Sequence, residues 1–583
     1  MANHVSIKVD TPSDPPQWAL LQRALLQFQT QAFEQFYEKY FDDQGFLECV
    51  PRWGALDGPD DAIENLANWP IIYLLGGGDS ILNMSKSAQD GHIKQYTEAK
   101  TVEVPFTRDG MYYKEFPVHS DWAHHAEGLV VFNLLGLCDP KDENHIRRAK
   151  RFAGFYMDED PQAKNYDPDL RLIRSMFNGS RGPMLRKTTA LDWAGDRLED
   201  GRFDLLHGQE TYAEMYERFE TYNDVAGDHP LNLTCTGLAF NAYVLTGEKK
   251  YRDWILEYAD AWIERTYSNG GVIPSNVGLD GVIGSACEGK WWGGVYGWDH
   301  TIRARRHGRM DSFTLNAVAH AVDGFGNALL LSGDQKYVDV WRTVLEKVNS
   351  NHKTIDGITM YPHMHGDDGW YDYHPEPYNK GAIEVYDWSM NSDDRALSGD
   401  NPWLKFLEGN NPSFPVEALL QDLTQVREQV EKIRNDISTP DTRLSDNPNP
   451  HNPARVENLV NMITGGTKPG YARPMHCRLW YYDADRGRPG LPEDVAALIH
   501  RIDSKGLDVQ LVNINPGQPR NVIIQGGAYG EHQVLELTYN NQKISVDNSD
   551  FVVQLEPGCG ARLTLDLKRY VNLPTARFPW DRN

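Results

Sequence analysis

The chain has 583 residues and a formal net charge of −25. This length is too great for one ordinary hydrophobic core, so we expect one large domain of a repeat or toroid type and a smaller second domain. The negative charge argues against nucleic acid and against an anionic membrane surface as partners, because long-range repulsion would oppose both. A polyanionic substrate would therefore need a cleft that is locally basic.

Segments that direct or anchor a protein are not evident. No apolar run approaches the ~18 residues that cross a bilayer, and the first residues lack the basic-then-apolar order of a signal peptide. We expect a cytoplasmic protein, or a secreted or periplasmic one if a leader has been removed. The six cysteines have no CxxC spacing, which predicts buried free thiols rather than a zinc site or a disulfide framework. We expect no cofactor, with a structural cation such as calcium as the alternative.

A helix-hairpin pattern repeats from residue 16 onwards. An apolar helix end, a glycine and an acidic turn recur at Gly76, Gly136, Gly247 and Gly333, where a helix C-cap needs a positive φ. Repeated hairpins of this kind close into an (α/α) toroid or stack as an open solenoid. We favour the toroid, because its long loops would meet at one central cleft. Two amphipathic stripes support the pattern: Trp254, Ile255, Tyr258, Ala259, Trp262 and Ile263, then Tyr337, Val338, Trp341, Val344, Leu345 and Val348.

The residue pattern changes from one typical of helices to one typical of strands towards the C-terminus. A helix between residues 413 and 438 is followed by a stretch rich in Pro, Asn and Asp that is typical of a linker. From residue 474, segments of β-branched residues alternate with Gly, Pro and Asn turns. We therefore predict a mainly α fold: an (α/α) toroid of helix hairpins at 1–437, a linker with a short helix at 438–473 and an antiparallel β-sandwich at 474–583.

Residues 284–309 have a composition that folding alone does not require. They contain three Trp, one Tyr, two His, one Lys and four Arg among six Gly. Aromatic rings beside glycines favour a platform for sugar rings, and adjacent cations favour a bound anion. We interpret this stretch as the floor of an active site for an acidic carbohydrate. From Arg303 onwards, its arginines are expected to begin the next helix.

Two helix and loop starts carry further candidates. Residues 119–129 place Asp121, His124 and Glu127 three residues apart at a helix start, where they could form a sugar site, bind a metal or only cap the helix. Residues 177–187 form a Gly-Pro loop whose Asn178 and Arg181 suit a carboxylate, or else a solvated basic turn.

Two histidine-bearing segments complete the set. His229 stands directly before a proline, which restricts its backbone. The same arrangement can also mark the start of a helix without any functional role. Residues 360–378 hold three His with Asp367 and Asp368, without the spacing of a known metal signature.

These parts fit cleavage of a uronic-acid glycan by β-elimination. The reaction needs neutralisation of the carboxylate, a base for the C5 proton and an acid for the leaving oxygen. Tyr296 can be base and acid in turn when nearby cations stabilise its phenolate, and Lys290 and Arg303 lie close to it in sequence. Asn178 or His229 could hold the carboxylate or share the proton transfers.

Several short motifs carry a family resemblance: GKWWGGVYGW, the preceding NGGVIPSNVGLDGVIG and the loop RWGALDGPDDAIENLANWP. With the helix hairpins and the sandwich, they resemble the alginate and glucuronan lyases of polysaccharide lyase family thirty-eight, and more loosely other toroid-fold lyases. The resemblance implies a carbon–oxygen lyase with Tyr296, His229, Asn178 and Lys290 in catalysis, although Arg would be expected where Lys290 stands. The predicted substrate-binding residues are Trp291, Trp292, Trp298, His300, Arg303, Arg181, His124 and Glu288.

Two other functions stay open. A glycoside hydrolase on the same toroid needs two carboxyl groups, for which Asp121, Glu127, Glu288 and Asp299 are available. A non-catalytic protein would bind a glycan tightly without turnover. The expected partner is an acidic oligo- or polysaccharide, and the sequence leaves the oligomeric state open.

Overall fold

The computed structural model describes residues 5–50, 58–99, 112–188, 224–298, 300–306, 309–315, 317–470 and 472–582. Helices dominate up to residue 464, and strands dominate after it. The helices are α1 (Gln17–Tyr40), α2 (Pro59–Glu64), α3 (Trp69–Leu74), α4 (Asp79–Glu98), α5 (Trp122–Cys138), α6 (Glu143–Gly154), α7 (Thr236–Thr246), α8 (Lys249–Ser268), α9 (Ala321–Ser332), α10 (Lys336–Asn349), α11 (Ala382–Ser389), α12 (Ser392–Arg395), α13 (Pro402–Leu407), α14 (Phe414–Asn435) and α15 (Glu457–Thr464).

Helix hairpins form where the glycine pattern predicted them. Gly247 and Gly333 end α7 and α9 with φ of 73° and 69°, the left-handed conformation of a C-cap. The apolar stripes of α8 and α10 are buried. Gly136 was predicted to end a helix, and this is wrong because α5 continues to Cys138. A Cβ at Gly136 would lie 2.6 Å from Asn241 Oδ1, so this glycine permits close helix packing instead.

Successive helices pack against one another along the chain. Helix α6 contacts α7, α7 contacts α8, and α9 contacts α10. The first and last long helices, α1 and α14, also pack together. A ring of helices requires such a return contact, and the closed toroid stays a prediction.

The C-terminal strands form two five-stranded sheets, as their alternating pattern predicted. One sheet has the order β1-β18-β15-β11-β12, and the other has the order β13-β14-β19-β16-β17. Neighbouring strands are antiparallel except for β1 and β18. The strands are β1 (Ser6–Val9), β11 (Leu479–Asp483), β12 (Arg488–Pro489), β13 (Val495–Ile502), β14 (Gly506–Asn513), β15 (Arg520–Gly526), β16 (Gln533–Tyr539), β17 (Gln542–Asn548), β18 (Asp550–Leu555) and β19 (Gly560–Lys568).

The N-terminal strand departs from the predicted domain boundaries. Strand β1 pairs in parallel with β18, with Ile7 opposite Val553, although the sequence analysis assigned residues 1–437 to the helical domain. The predicted linker is also firmly packed. Arg443 is 2% exposed, lies over the ring of Tyr40 and donates to the Glu48 carbonyl.

Short strands also interrupt the helical part: β2 (Tyr112–Tyr113), β3 (Phe116–Pro117), β4 (Tyr166–Asp167), β5 (Leu172–Ile173), β6 (His300–Arg306), β7 (Arg309–Leu315), β8 (Lys353–Ile355), β9 (Ile358–Gly366) and β10 (Gly369–His374). Strands β6 and β7 form a hairpin in which Arg303 is opposite Ser312. The expectation that a helix begins at Arg303 is therefore wrong. Pairing between β6 and β7 decides the conformation of this segment. The prediction of a helix did not take this pairing into account.

Two predictions from composition can be compared with the described residues. The six cysteines are free thiols, and all but Cys287 are buried. None of the described helices combines the length and apolar character that a bilayer crossing requires.

Candidate active site

The N-terminus of α5 is organised by Asp121. This residue is the N-cap, and its buried Oδ1 accepts hydrogen bonds from the backbone N–H groups of Ala123 (2.9 Å) and His124 (3.2 Å). The same oxygen is 2.8 Å from Nδ1 of His124. A capping aspartate followed three residues later by histidine thus produces a carboxylate–imidazole pair at the helix start.

Tyr296 completes this pair from the other side. Its buried hydroxyl donates to Asp121 Oδ2 at 2.7 Å, which joins the loop at 284–298 to α5. Burial opposes ionisation of Asp121, but the charge of His124 and the hydrogen bonds from His124 and Tyr296 outweigh it, so its pKa lies below the usual range. Burial and the Asp121 charge raise the pKa of Tyr296 well above 10. Cations were expected around a Tyr296 phenolate, whereas the partner of the Tyr296 hydroxyl is the Asp121 carboxylate.

His124 is the accessible member of this group. Its side chain is 44% exposed, so the ring can be reached from solvent. Desolvation opposes the charged form, but the charge and hydrogen bond of Asp121 prevail and raise the pKa of His124 well above 6.5. The Asp121 carboxylate therefore favours the imidazolium form of His124.

Carboxyl groups from α2 and α5 surround the imidazolium. The two helices pack against each other, and Asp60, Asp61 and Glu127 are all partly buried. Burial, together with neighbouring carboxylates, raises the pKa of each of the three. We call Asp60, Asp61 and Glu127, with His124, the carboxyl cluster.

Members of the carboxyl cluster differ in how far they are committed to the fold. Asp61 Oδ2 accepts the N–H of Gly58 at 2.8 Å and so caps α2. Glu127 has no hydrogen-bond partner among the residues that the structure describes. Burial and the repulsion between these groups favour their protonated forms, and carboxyl groups that interact in this way titrate together.

His229 lies edge-on to Tyr296, with ring centroids 6.3 Å apart. It is the N-cap of the 3₁₀ helix Pro230–Cys235, and its Nδ1 accepts the N–H of Leu231 at 3.0 Å. The neutral ring therefore carries its proton on Nε2. Burial lowers the pKa of His229 to about 3. Neutral His229 is thus a donor at Nε2 rather than a base.

A second buried carboxylate, that of Asp228, stabilises the loop that contains His229. Asp228 accepts hydrogen bonds from the Tyr258 hydroxyl at 2.9 Å and from Asn232 at 3.0 Å, and it pairs with Arg265 at 3.3 Å. It also accepts the backbone N–H of Ile173 at 3.1 Å. Every donor of this network is internal, so Asp228 fixes the loop before the 3₁₀ helix.

Asn178 was predicted to hold a substrate carboxylate, but its side chain is buried and committed to the fold. Its Oδ1 accepts from Trp122 Nε1 at 3.0 Å and from the Tyr156 hydroxyl at 2.8 Å. Its Nδ2 donates to the Ser175 carbonyl at 2.9 Å and to Asn232 Oδ1 at 3.2 Å. With both ends of the amide occupied, Asn178 positions the segment before α5 instead.

Lys290 and two of the predicted sugar-binding tryptophans meet the hairpin of β9 and β10. Lys290 Nζ donates to Asp367 at 2.8 Å, and Trp292 Nε1 donates to the same carboxylate at 3.0 Å. The rings of Trp291 and Trp292 are half-buried and pack around His365, with centroid distances of 4.5 Å and 4.9 Å. The Lys290 charge is thus compensated by Asp367, not directed at Tyr296.

The remaining predicted residues have varied surroundings. Trp298 is 2% exposed and donates to the Ile273 carbonyl, so it belongs to the loop core. Arg181 lies 4.2 Å from the ring centre of Tyr113. Glu288 is exposed and has a φ of 57° after a short 3₁₀ turn. His300 and Arg303 lie on β6, and their side chains, like all of Asp299, are outside the described residues.

Sequence reasoning missed the acidic residues of α2. The motif Gly-Pro-Asp-Asp stood inside a loop that had been noted only for its family resemblance. A proline at the first turn followed by two aspartates is a helix-start signal and could have identified α2. Its packing against α5 is a tertiary contact that local patterns do not reveal. Within the described ranges, no group of three His, Cys, Asp or Glu side chains is arranged to hold a metal ion.

Three solved structures resemble parts of the chain. A mannosidase of glycoside hydrolase family 76 from Bacteroides thetaiotaomicron is 11% identical with a TM-score of 0.31, covering 68% of this chain and 90% of its own. Cellobiose 2-epimerase from Bacillus thermoamylovorans is 9% identical with a TM-score of 0.27, covering 60% and 93%. A GH127 β-arabinofuranosidase is 10% identical with a TM-score of 0.25, covering 96% and 82%. Scores this low support no conclusion about function.

Sequence comparison yields one match. No curated protein sequence is significantly similar to the chain. The profile of one family matches residues 6–358 and 396–460, which is more than half of the chain. Neither this family nor the three structures is polysaccharide lyase family thirty-eight, so the comparisons do not support that resemblance. The chain belongs to the family described as "Domain of unknown function (DUF8034)".

Proposed function

We propose that the chain is a carbohydrate-active enzyme, and specifically a glycoside hydrolase whose acid and base are members of the carboxyl cluster. One observation carries this proposal: helices α2 and α5 pack together, and Asp60 and Glu127 on them both interact with the charge of His124 while burial raises the pKa of each carboxyl group. Hydrolysis of a glycosidic bond needs one carboxylic acid and one carboxylate on either side of the bond. Two carboxyl groups on packed helices are available for these two roles.

Glu127 is the proposed general acid. Burial is the first cause of its raised pKa, and the charges of Asp60, Glu64 and Asp61 add to it against the opposing charge of His124. Its carboxyl group has no hydrogen bond to a described residue, so a proton there can pass to a leaving oxygen. Asp60 lies on α2, which packs against α5, and the charge of His124 favours its ionised form, so Asp60 is the proposed base or nucleophile.

The Asp121–His124 pair has a supporting role in this proposal. Asp121 is fully occupied by the N–H groups of α5, the His124 ring and the Tyr296 hydroxyl, so it holds its neighbours and does not react. His124 is exposed enough to donate a hydrogen bond to a sugar hydroxyl. Its positive charge also favours the ionised form of Asp60.

Aromatic side chains on the loop of Tyr296 favour a glycan as substrate. Trp291 and Trp292 are half-buried on the same loop that brings Tyr296 to Asp121. Trp370 packs against this pair through His365 at 4.8 Å. Flat aromatic faces of this kind stack against the apolar faces of sugar rings.

The sign of the local charge bears on the kind of glycan. A uronic-acid substrate was expected because of the cations at 290–309, but Lys290 is paired with Asp367 and the described groups around His124 are mostly acidic. Carboxylates repel a uronate unless they are protonated. The proposal is therefore hydrolysis of a neutral glycan.

β-Elimination on a uronic-acid glycan, with Tyr296 as base and acid, is the second candidate. It is favoured by one observation, the position of Tyr296 against His229 and Asp121. It is opposed by the carboxylate partner of Tyr296, which disfavours a phenolate.

The test is incubation of the purified protein with neutral and uronic-acid polysaccharides, including α-mannan, β-glucan, alginate and polyglucuronate. Reducing ends are measured together with the ultraviolet absorbance of an unsaturated uronate. New reducing ends without that absorbance support the hydrolase, and absorbance from alginate or polyglucuronate supports the lyase. Glu127→Gln should lower hydrolysis about 10²–10⁴-fold, the usual contribution of a general acid.

The matched control is Glu143→Gln, an exposed glutamate in the first turn of the neighbouring helix α6. It should retain wild-type activity. Full activity of Glu127→Gln on the same glycan would exclude Glu127 as the acid.

A further inference from the structure

A cavity of about 290 Å³ lies between α11, α13 and α15, at the junction with the C-terminal sheets. It shares no lining residue with the carboxyl cluster. Its volume is at the lower end of the range for small-molecule sites, which suits a ligand of one ring. The lining combines charged, amide and aromatic side chains rather than apolar ones alone.

Most charges of the cavity wall are neutralised by internal pairs. Glu384 pairs with Arg473 at 2.6 Å, and Asp387 pairs with Arg478 at 3.1 Å. Both pairs are largely buried, and removal of either partner would leave an uncompensated charge. Glu384, Asp387 and Arg478 of the wall are therefore committed to these pairs and are not available to bind an ion.

The other two charged residues of the lining have opposite signs. Glu457 and Lys468 are exposed, and neither forms an ion pair with a described residue. The lining thus has no excess of charge that would select an anion or a cation. A neutral ligand is favoured, since it introduces no uncompensated charge.

Hydrogen-bonding groups in the wall are left without partners. Asn461 is 8% exposed, and its side-chain amide makes no hydrogen bond to a described residue. The Thr467 hydroxyl, next to the Gly465–Gly466 turn that ends α15, is likewise uncommitted within the described ranges. A buried amide normally has a partner, so a group that enters the cavity can supply it. An amide donates and accepts at once, which matches vicinal hydroxyl groups.

Apolar surface faces the same space. Trp403 and Tyr386 line the cavity together with Leu404. Aromatic rings, an amide and a hydroxyl in one lining provide surfaces for the C–H face and for the hydroxyl groups of a sugar ring.

We propose that this cavity is a second binding site, separate from the carboxyl cluster, for a single neutral sugar unit. Asn461 and Thr467 contact its hydroxyl groups, and Trp403 lies along its apolar face. The proposal goes beyond the proposed hydrolysis and does not depend on it, because binding is measured without turnover.

The probes are methyl α-D-mannoside, methyl β-D-glucoside and methyl β-D-galactoside, measured by calorimetry and by saturation-transfer NMR on the full chain. At least one should bind with a millimolar Kd. Asn461→Ala should weaken that binding about tenfold, as expected for one lost hydrogen bond and its unpaired partner. Asn410→Ala, at an exposed asparagine after α13, is the matched control and should bind normally.

Thr467→Val keeps the test valid if Asn461→Ala does not fold, because the Thr467 hydroxyl makes no hydrogen bond to a described residue and its removal should weaken binding without affecting stability. Glu127→Gln should leave the binding unchanged, which separates this site from the proposed active site. The proposal is overturned if none of the three glycosides binds, if binding survives both cavity substitutions, or if glycine or glucuronate binds more tightly than every glycoside.

Discussion

Asp228 and the acids of the carboxyl cluster have opposite environments in this protein. Asp228 is 1% exposed and is surrounded by Arg265, Tyr258 and Asn232. In the carboxyl cluster, Asp60 and Glu127 interact with one imidazolium, Asp61 is repelled by Asp60, and Glu127 has no hydrogen bond to a described residue. Both groups are crowded by protein, but only the first is fully paired.

The difference separates a structural acid from a reactive one. A carboxylate whose lone pairs are all occupied stabilises the loop that contains it and is unavailable to a substrate. Carboxyl groups that repel one another and lack partners cost stability, and such unfavourable arrangements concentrate at functional sites. The comparison can be tested by substitutions that should have opposite effects in the two places.

The largest effect is expected at Asp228. Asp228→Ala removes the partner of Arg265, whose side chain is only 10% exposed, and leaves a buried cation unpaired. The free energy of unfolding should fall by about 3–5 kcal/mol. Urea denaturation followed by circular dichroism measures the change.

Asp224→Ala is the control for this substitution, since Asp224 is exposed in the same loop. It should unfold like the wild type. Equal stability of the Asp228 and Asp224 variants would contradict the structural role of Asp228.

The next largest effect concerns the pKa of His124. Asp121→Asn removes the negative charge that holds the pKa of His124 above 6.5. Desolvation of the imidazole ring should then lower this pKa below 6.5. Histidine ring signals in a pH titration by NMR measure the change. In the wild type, His124 should titrate above pH 6.5, whereas His125 and His229, with pKa values of about 4 and 3, should stay neutral.

The interpretation of the Asp121–His124 pair is wrong if the His124 signal titrates at or below pH 6.5 in the unaltered protein.

A smaller effect, with the opposite sign to that of Asp228→Ala, is expected at Glu127. The native pKa of Glu127 lies above its unfolded value of about 4.3, so the native state binds more protons and loses stability as pH rises from that value through the native pKa. Glu127→Gln removes this loss and should stabilise the protein at pH 7 by about 0.5–1 kcal/mol. Melting temperatures at pH 5 and pH 7 measure it, and the gain should be smaller at pH 5.

Glu143→Gln serves again as the control and should show no gain at either pH. A lower melting temperature for Glu127→Gln at pH 7 would mean that Glu127 is a structural acid like Asp228.

The smallest effect is expected at Lys290. Its partner Asp367 is highly exposed, and pairs of this kind contribute little to stability. Lys290→Ala should therefore change neither the melting temperature nor glycan hydrolysis measurably. A large loss of activity on alginate or polyglucuronate with this variant would instead restore Lys290 to the catalytic role that the lyase interpretation assigned to it.

Local patterns predicted the parts of this fold that depend on neighbouring residues in the chain. The C-caps at Gly247 and Gly333 and the stripes of α8 and α10 follow from helical periodicity, and the alternation of β14 to β19 follows from the pleat of a strand. Gly136 has the same local pattern as Gly247, but its role is decided by Asn241 on another helix. Propensity cannot distinguish these two glycines.

The candidate site was predicted in part for the same reason. The spacing of Asp121, His124 and Glu127 predicted a shared helix face, and the loop at 284–298 was expected to contribute to the site. The partner of Tyr296 was not predictable, because Asp121 is 175 residues away in the chain. Asn178 looked available in sequence, and only its buried hydrogen bonds to Trp122 and Tyr156 assign it to the fold.

The pairing of β1 with β18 has a consequence for synthesis and for fragments. Strand β18 lies between β1 and β15, so residues 474–583 alone would have β18 as an open edge. That edge includes the buried residues Phe551, Val553 and Leu555, and exposed apolar edges promote aggregation. During translation, residues 6–9 can pair with β18 only after residue 555 has left the ribosome. Strand β1 is therefore synthesised before the other described strands but is among the last to pair.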